Sequence, residues 1–166
     1  MNATDILKYG HQTVHQTLNS FPATAWEQSG ACGEWSVKDI IAHLASYEQV
    51  LVDIVTSFTA KDSTPTLDRF IEMGSQFNDY EVNKRKEKTM KDVLQEFNEA
   101  HSAVLSLLVA IPAETLRQTG TLPWYGMDYA LDDVIVYMYY GHKREHSAQI
   151  AAFQHRLEQE KDGAIA

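Results

Sequence analysis

The segment LDDVIVYMYYGHKREHSAQIAAFQHRL, residues 131–157, decides the fold. At 100° per residue Val134, Ile135, Met138, His142, His146, Ile150, Phe153 and Leu157 fall on one side of a helix that starts near Leu131 and frays toward Gly163. Two imidazoles therefore point toward a core, at i, i+4 spacing and about 5–6 Å apart at Cβ. Burying a polar ring without a partner costs free energy, so each ring needs a hydrogen bond or a metal ion. One ion can be held by both. Inward side chains of this kind build the metal sites of helical bundles, which favours an ion over two separately satisfied core histidines.

Three further stripes lie upstream. Leu7, His11, Val14, Leu18 and Phe21 mark a first helix over 4–20. The stretch 21–35, with Pro22, Gly30 and Gly33, has no helical stripe and reads as a loop. Ser36 and Asp39 form an N-cap pair before a second stripe of Val37, Ile40, Ile41, Leu44, Leu51, Val55 and Phe58. Between 59 and 88 the pattern dissolves into a polar crossover with Pro65 and short helical turns near Phe70 and Phe77. Thr89 caps a third helix carrying Val93, Leu94, Phe97, His101, Val104, Leu108 and Ile111, stopped by Pro112. A loop with Gly120, Pro123, Trp124 and Gly126 leads into the last helix. The pattern predicts an all-α fold, a four-helix bundle with a long crossover between helices 2 and 3, as one domain over 1–166.

Composition narrows the function. Fourteen Lys and Arg against 23 Asp and Glu give a net charge of −9, which argues against nucleic acid or an acidic membrane as partner. The apolar stretch around 103–111 is shorter than the roughly 20 residues a membrane-spanning helix needs. The start MNATDILKYG lacks the basic and apolar regions of a signal peptide, and a single Cys32 makes no internal disulfide, so the expected location is the cytoplasm.

A catalytic tetrahedral site takes three protein ligands and keeps an open position, so a third donor must come from another helix. His11, His43 and His101 all sit mid-helix on or beside an apolar stripe, and periodicity leaves the choice open. His15 forms an i, i+4 pair with His11 but projects toward the stripe edge and reads as partly exposed; His155 reads as solvated. The Glu-x-x-His pairs of di-iron bundles are absent. His142 to His146 match H-x-x-E-H, the inverted zinc-protease pattern, but in a chain without predicted strands.

GEWSVKDIIAHL over 33–44, followed by YGHKREHSAQI over 140–150, resembles the DinB/YfiT-like superfamily. The resemblance implies a four-helix bundle with a long crossover, and a divalent metal held by a histidine of the second helix and an H-x-x-x-H pair of the last. The matching residues are His43, His142 and His146. Zinc or nickel is favoured, with iron, cobalt and manganese also compatible with neutral imidazoles. Relatives include bacillithiol and mycothiol S-transferases, so the resemblance also implies a small-molecule substrate, a low-molecular-weight thiol cosubstrate and a homodimer.

Around these ligands, Asp39 lies one turn before His43 and Tyr47 one turn after, in reach of the metal's surroundings; capping explains Asp39 equally well. Glu145 is placed to accept a proton in catalysis, or else pairs with Lys143, and Gln149 flanks the same face. Tyr47, Trp124 and Tyr125 are candidate substrate contacts, the last two from the loop entering helix 4. The basic run of 83–88 with Lys91 reads as a solvated start of a helix, with an anionic cosubstrate as the sharper alternative. Cys32 reads as structural. The expected function is a metal-dependent enzyme of thiol-transferase or hydrolase type, with a protein that sequesters a metal or small molecule without turnover as its rival.

Overall fold

The structure, a computed structural model, describes residues 2–60 and 62–165. Helix α1 spans Ala3–Ser20, with the Asn2 side chain accepting the Asp5 backbone N–H at its start. Strands β1 (Ser29–Cys32) and β2 (Trp35–Ser36) form an antiparallel ribbon within the stretch expected to be loop. Its turn uses Gly33 at a φ of 56°, a conformation in which a Cβ would be strained. Helix α2 (Val37–Thr59) starts at a complete capping box: Ser36 Oγ accepts from Asp39 N at 3.2 Å and Asp39 Oδ2 accepts from Ser36 N at 3.0 Å. Asp39 is thus a cap, and Lys86 Nζ sits 2.9 Å from its Oδ1.

The crossover contains α3 (Pro65–Met73) and α4 (Phe77–Asn83), which bracket Phe70 and Phe77 as expected and pack on α2. Helix α5 (Met90–Leu108) opens with a second capping box, Thr89 with Asp92, and ends before Ile111 rather than at Pro112. A short helix α6 (Ala113–Leu116) follows. The final rod consists of α7 (Leu131–Val134), a π-helical segment over Ile135–Gly141 and α8 (His142–Ile165). Its four-residue start begins near Leu131 as predicted, and it continues past Gly163. The fold is an all-α bundle of α1, α2, α5 and this rod, with α2 packed chiefly on α5 and α1 on the rod.

The apolar core comes in two clusters. One gathers Val14, Leu18, Ile40, Ile41, Leu44, Phe97, Ile150 and Phe153; the other gathers Leu7, Leu51, Ile54, Phe77, Val104, Leu131, Ile135 and Tyr139. On each of the four long elements a polar side chain falls in the sequence between them: His11 on α1, Glu48 on α2, His101 on α5, and His142, Lys143 and His146 on α8, while His43 lies within the first cluster's stretch of α2. The polar groups therefore occupy a layer at mid-height of the bundle. Apolar packing above and below fixes the helices, and so fixes where these side chains can go.

The π-helical segment changes which residues face inward. Bonding from i to i+5 adds a residue to the turn and rotates everything after it relative to an α-helical frame. Tyr139 is buried in place of Met138, and Lys143 is only 2% exposed while His142 is half-buried. Lys143 consequently faces the interior and pairs with Glu48, not with Glu145, which is exposed.

Candidate metal centre

His43 arrives from the second turn of α2, and His142 and His146 from consecutive turns of α8. His142 Nε2 lies 2.8 Å from His43 Nε2 and 2.9 Å from His146 Nε2. One ligand atom from each of the three lies within 4.8 Å of the other two, and this is the only such histidine, cysteine and carboxylate group among the described residues. A ring nitrogen has one proton or one lone pair, so His142 Nε2 cannot hydrogen-bond both neighbours in their common neutral form. A shared cation resolves the conflict, because all three nitrogens then act as donors to it. For metal–nitrogen bonds of about 2.0–2.1 Å, neighbouring ligand atoms stand about 2.9–3.4 Å apart, so the observed spacings fit a divalent ion with small adjustment. His11 and His101, the other candidates for third ligand, are not part of this group.

The protonation states favour cation binding. Burial pushes the His43 imidazole down to about 2, with the neighbouring His142 and His146 adding to the shift. Burial also lowers His142, to about 3, and lowers His146. Neutral rings offer lone pairs at neutral pH. The His146 proton is assigned to Nδ1, where Gln149 Oε1 accepts it at 2.8 Å, which leaves Nε2 free as ligand. His43 Nδ1 is buried without a partner.

Aromatic side chains hold the site. The Tyr47 ring lies 4.7 Å from that of His43 and 4.6 Å from that of His142, and its hydroxyl is 3.2 Å from Asn78 Oδ1 on α4. The ribbon also places the Trp35 ring beside His43, at 5.0 Å. His43 and His146 are buried, whereas half-exposed His142 stands in the wall of a cleft of about 480 Å³, lined also by Tyr47, Tyr137, Met138, Gly141 and Glu145. Trp124 and Tyr125 do not line it: Trp124 packs on Phe70, which packs on Tyr47, and Tyr125 packs on Trp124.

Beside the triad lies a charged network that spacing alone did not reveal. Lys143 Nζ stands 2.5 Å from Glu48 Oε1 as an ion pair, off the hydrogen-bond direction, and His101 Nδ1 is 3.3 Å from Glu48 Oε2. Burial raises the Glu48 carboxyl, but Lys143 and His101 outweigh it and hold the group down at about 2. The basic run is also committed internally. Arg85, 3% exposed, bonds Glu81, Glu96 and Gln49, while Lys86 pairs with Asp39 and Lys88 with Glu96. Apart from buried Arg85 the run is solvent-exposed, as expected, with Lys86 and Lys88 paired to carboxylates. Half-buried Cys32 lies in β1 as a free thiol, and exposed His155 is 3.1 Å from Gln159.

The bundle topology and a three-histidine constellation open to a cleft define a class of helical proteins with a candidate metal centre. The chain belongs to the DinB superfamily, whose family model matches residues 6–150. No curated protein and no solved structure matches the chain. No described helix is long and apolar enough to cross a membrane.

Proposed function

We propose that this chain is a divalent-metal-dependent enzyme acting on a small molecule, with His43, His142 and His146 as ligands. The observation that carries this reading is the convergence of three neutral Nε2 atoms on one point, with His142 in a cleft wall. A divalent ion held there supplies a Lewis acid that makes a thiol or a water nucleophilic at neutral pH. Tyr47 keeps the His43 and His142 rings in place, and Gln149 keeps the His146 proton on Nδ1. Glu145, at the exposed rim, accepts the proton that the nucleophile loses. The cleft wall carries aromatic and apolar side chains, one carboxylate and no cation, which suits an uncharged or cationic electrophile.

The reaction is thiol transfer to such an electrophile or its hydrolysis; the thiol rests on the family resemblance. By the same resemblance the functional unit is a homodimer, and the lone Cys32 favours a cytoplasmic location. Metal-loaded protein assayed with low-molecular-weight thiols and electrophiles, beside simple esters and amides, is expected to turn over one set. Chelation should abolish that activity and metal return restore it. Tight small-molecule binding without turnover of any of them would replace catalysis by sequestration.

A further inference from the structure

The triad absorbs three histidines and leaves a second cluster between α1 and α5. His11 and His15 sit one turn apart on α1, both half-buried, with Nε2 atoms 3.2 Å apart. Asn98, half-buried on α5, places Oδ1 2.7 Å from His15 Nε2. His11 is clamped by neighbours outside the triad. Its ring stacks on His101 at 3.9 Å with an interplanar angle of 2°, and on Phe97 at 4.5 Å.

Proton placement is strained here, because the neutral arrangement makes one N–H serve both neighbours. His15 Nε2 carries one hydrogen or one lone pair and faces two partners. If it donates to Asn98 Oδ1, it has nothing left to accept from His11 Nε2. If the Asn98 amide is turned so that it donates, His15 Nε2 has a single lone pair for two approaching groups. His11 Nδ1 is buried and has no partner, so no second hydrogen bond offsets the conflict from that side.

We propose that His11 Nε2, His15 Nε2 and Asn98 Oδ1 form a second, independent site for a divalent transition-metal ion. Zinc bonds of about 2.0–2.1 Å to nitrogen place tetrahedral ligand atoms about 3.3–3.4 Å apart, close to the separation of the two Nε2 atoms. Opening the 2.7 Å contact between His15 and Asn98 by about half an ångström, within the reach of the Asn98 side-chain torsions, brings that edge to the same length. Two imidazoles and an amide oxygen select zinc, nickel or copper over magnesium or calcium. Burial, with His101, Lys143 and His15 adding to it, holds His11 down at about 3, so its lone pair is free at neutral pH. With a neutral amide oxygen in place of a third imidazole, this site is weaker than the triad. Its ion ties α1 to α5, two helices that otherwise meet over only a small contact. Nothing in this proposal depends on the reaction assigned to the triad.

Zinc titration calorimetry of the full chain, after complete metal removal, tests it. The wild type should show two classes of site. His15→Ala should keep the tight class and lose the weaker one, with affinity there reduced roughly tenfold or more. His146→Ala should do the reverse, which separates failure of this site from failure of the triad. Asn98→Asp supplies a charged oxygen at the same place and should tighten the weaker class several-fold; a purely hydrogen-bonding asparagine would give no such gain. A single class in the wild type, or a second class unchanged in His15→Ala and in Asn98→Asp, overturns the proposal.

Discussion

Replacing Lys143 by Met is expected to expose how much of this bundle depends on its buried charges. Glu48 is fully buried and Lys143 is 2% exposed, so removing the ammonium leaves a carboxylate without a cation at 2.5 Å and with only the 3.3 Å contact from His101. Breaking a buried pair in this way typically costs about 3–5 kcal/mol, because the remaining ion is uncompensated. An unfolding entropy of about 2.1 cal/mol/K per residue over 166 residues makes 1 kcal/mol worth about 3 °C, so the melting temperature should fall by about 9–15 °C. The double variant Glu48→Met, Lys143→Met removes both charges and should lie closer to wild type than either single variant. Melts followed by circular dichroism, with urea titrations at pH 7 and a chelator present, keep metal occupancy out of the comparison. A loss below about 1 kcal/mol for Lys143→Met, or a double variant no better than the singles, would refute the buried ion pair.

Other outcomes follow from the same geometry. Asp39 is depressed below its ordinary value, with the Ser36 hydrogen bonds and Lys86 outweighing burial. Its stabilisation is present above the unfolded pKa of 3.8 and is lost as the pH falls from there through its lower folded value, so the unfolding free energy from urea titrations should fall below about pH 5 by about 1 kcal/mol more in the wild type than in Asp39→Asn. Gln149→Leu removes the acceptor for His146 Nδ1 and should weaken metal affinity by about 10-fold or more in a competition assay, with little change in the melt of the metal-free protein. His43→Ala should release the tight ion far more readily than His11→Ala or His101→Ala, measured by chelator competition beside thermal melts that report core damage separately. Equal release from His101→Ala would assign the third ligand wrongly.

Much of the helical frame was legible in the sequence. The caps Ser36 and Thr89 carry their acceptor three residues on, and both boxes form. The inward pair His142 and His146 followed from spacing, whereas the periodicity weighed His11, His43 and His101 equally. His43 and His101 are buried and His11 half-buried, so periodicity tracked burial; it carries no information on which ring meets which across the bundle. The resemblance chose His43, and the geometry places that ring with the pair.

What stayed hidden has physical reasons. The π-helical segment over Ile135–Gly141 depends on how the rod packs, and no residue type in it announces the extra residue per turn. An α-helical projection therefore puts Met138 inward and leaves Lys143 only as a possible partner of Glu145. The β1–β2 ribbon is four residues against two, mostly small or polar, too short for an alternating pattern. The cleft residues Tyr137 and Met138 escaped for the same reason as Lys143, since the rotated rod turns them to the mouth.

The most direct test of the metal centre is elemental analysis of protein purified without an affinity tag or added metal, run beside His142→Ala, His146→Ala. About one tightly held divalent transition metal per chain in the wild type, lost in the double variant while its helical circular dichroism persists, is the expected result. Wild-type protein that holds no metal and takes up none when zinc or nickel is supplied, or a double variant that retains the full complement, would contradict it.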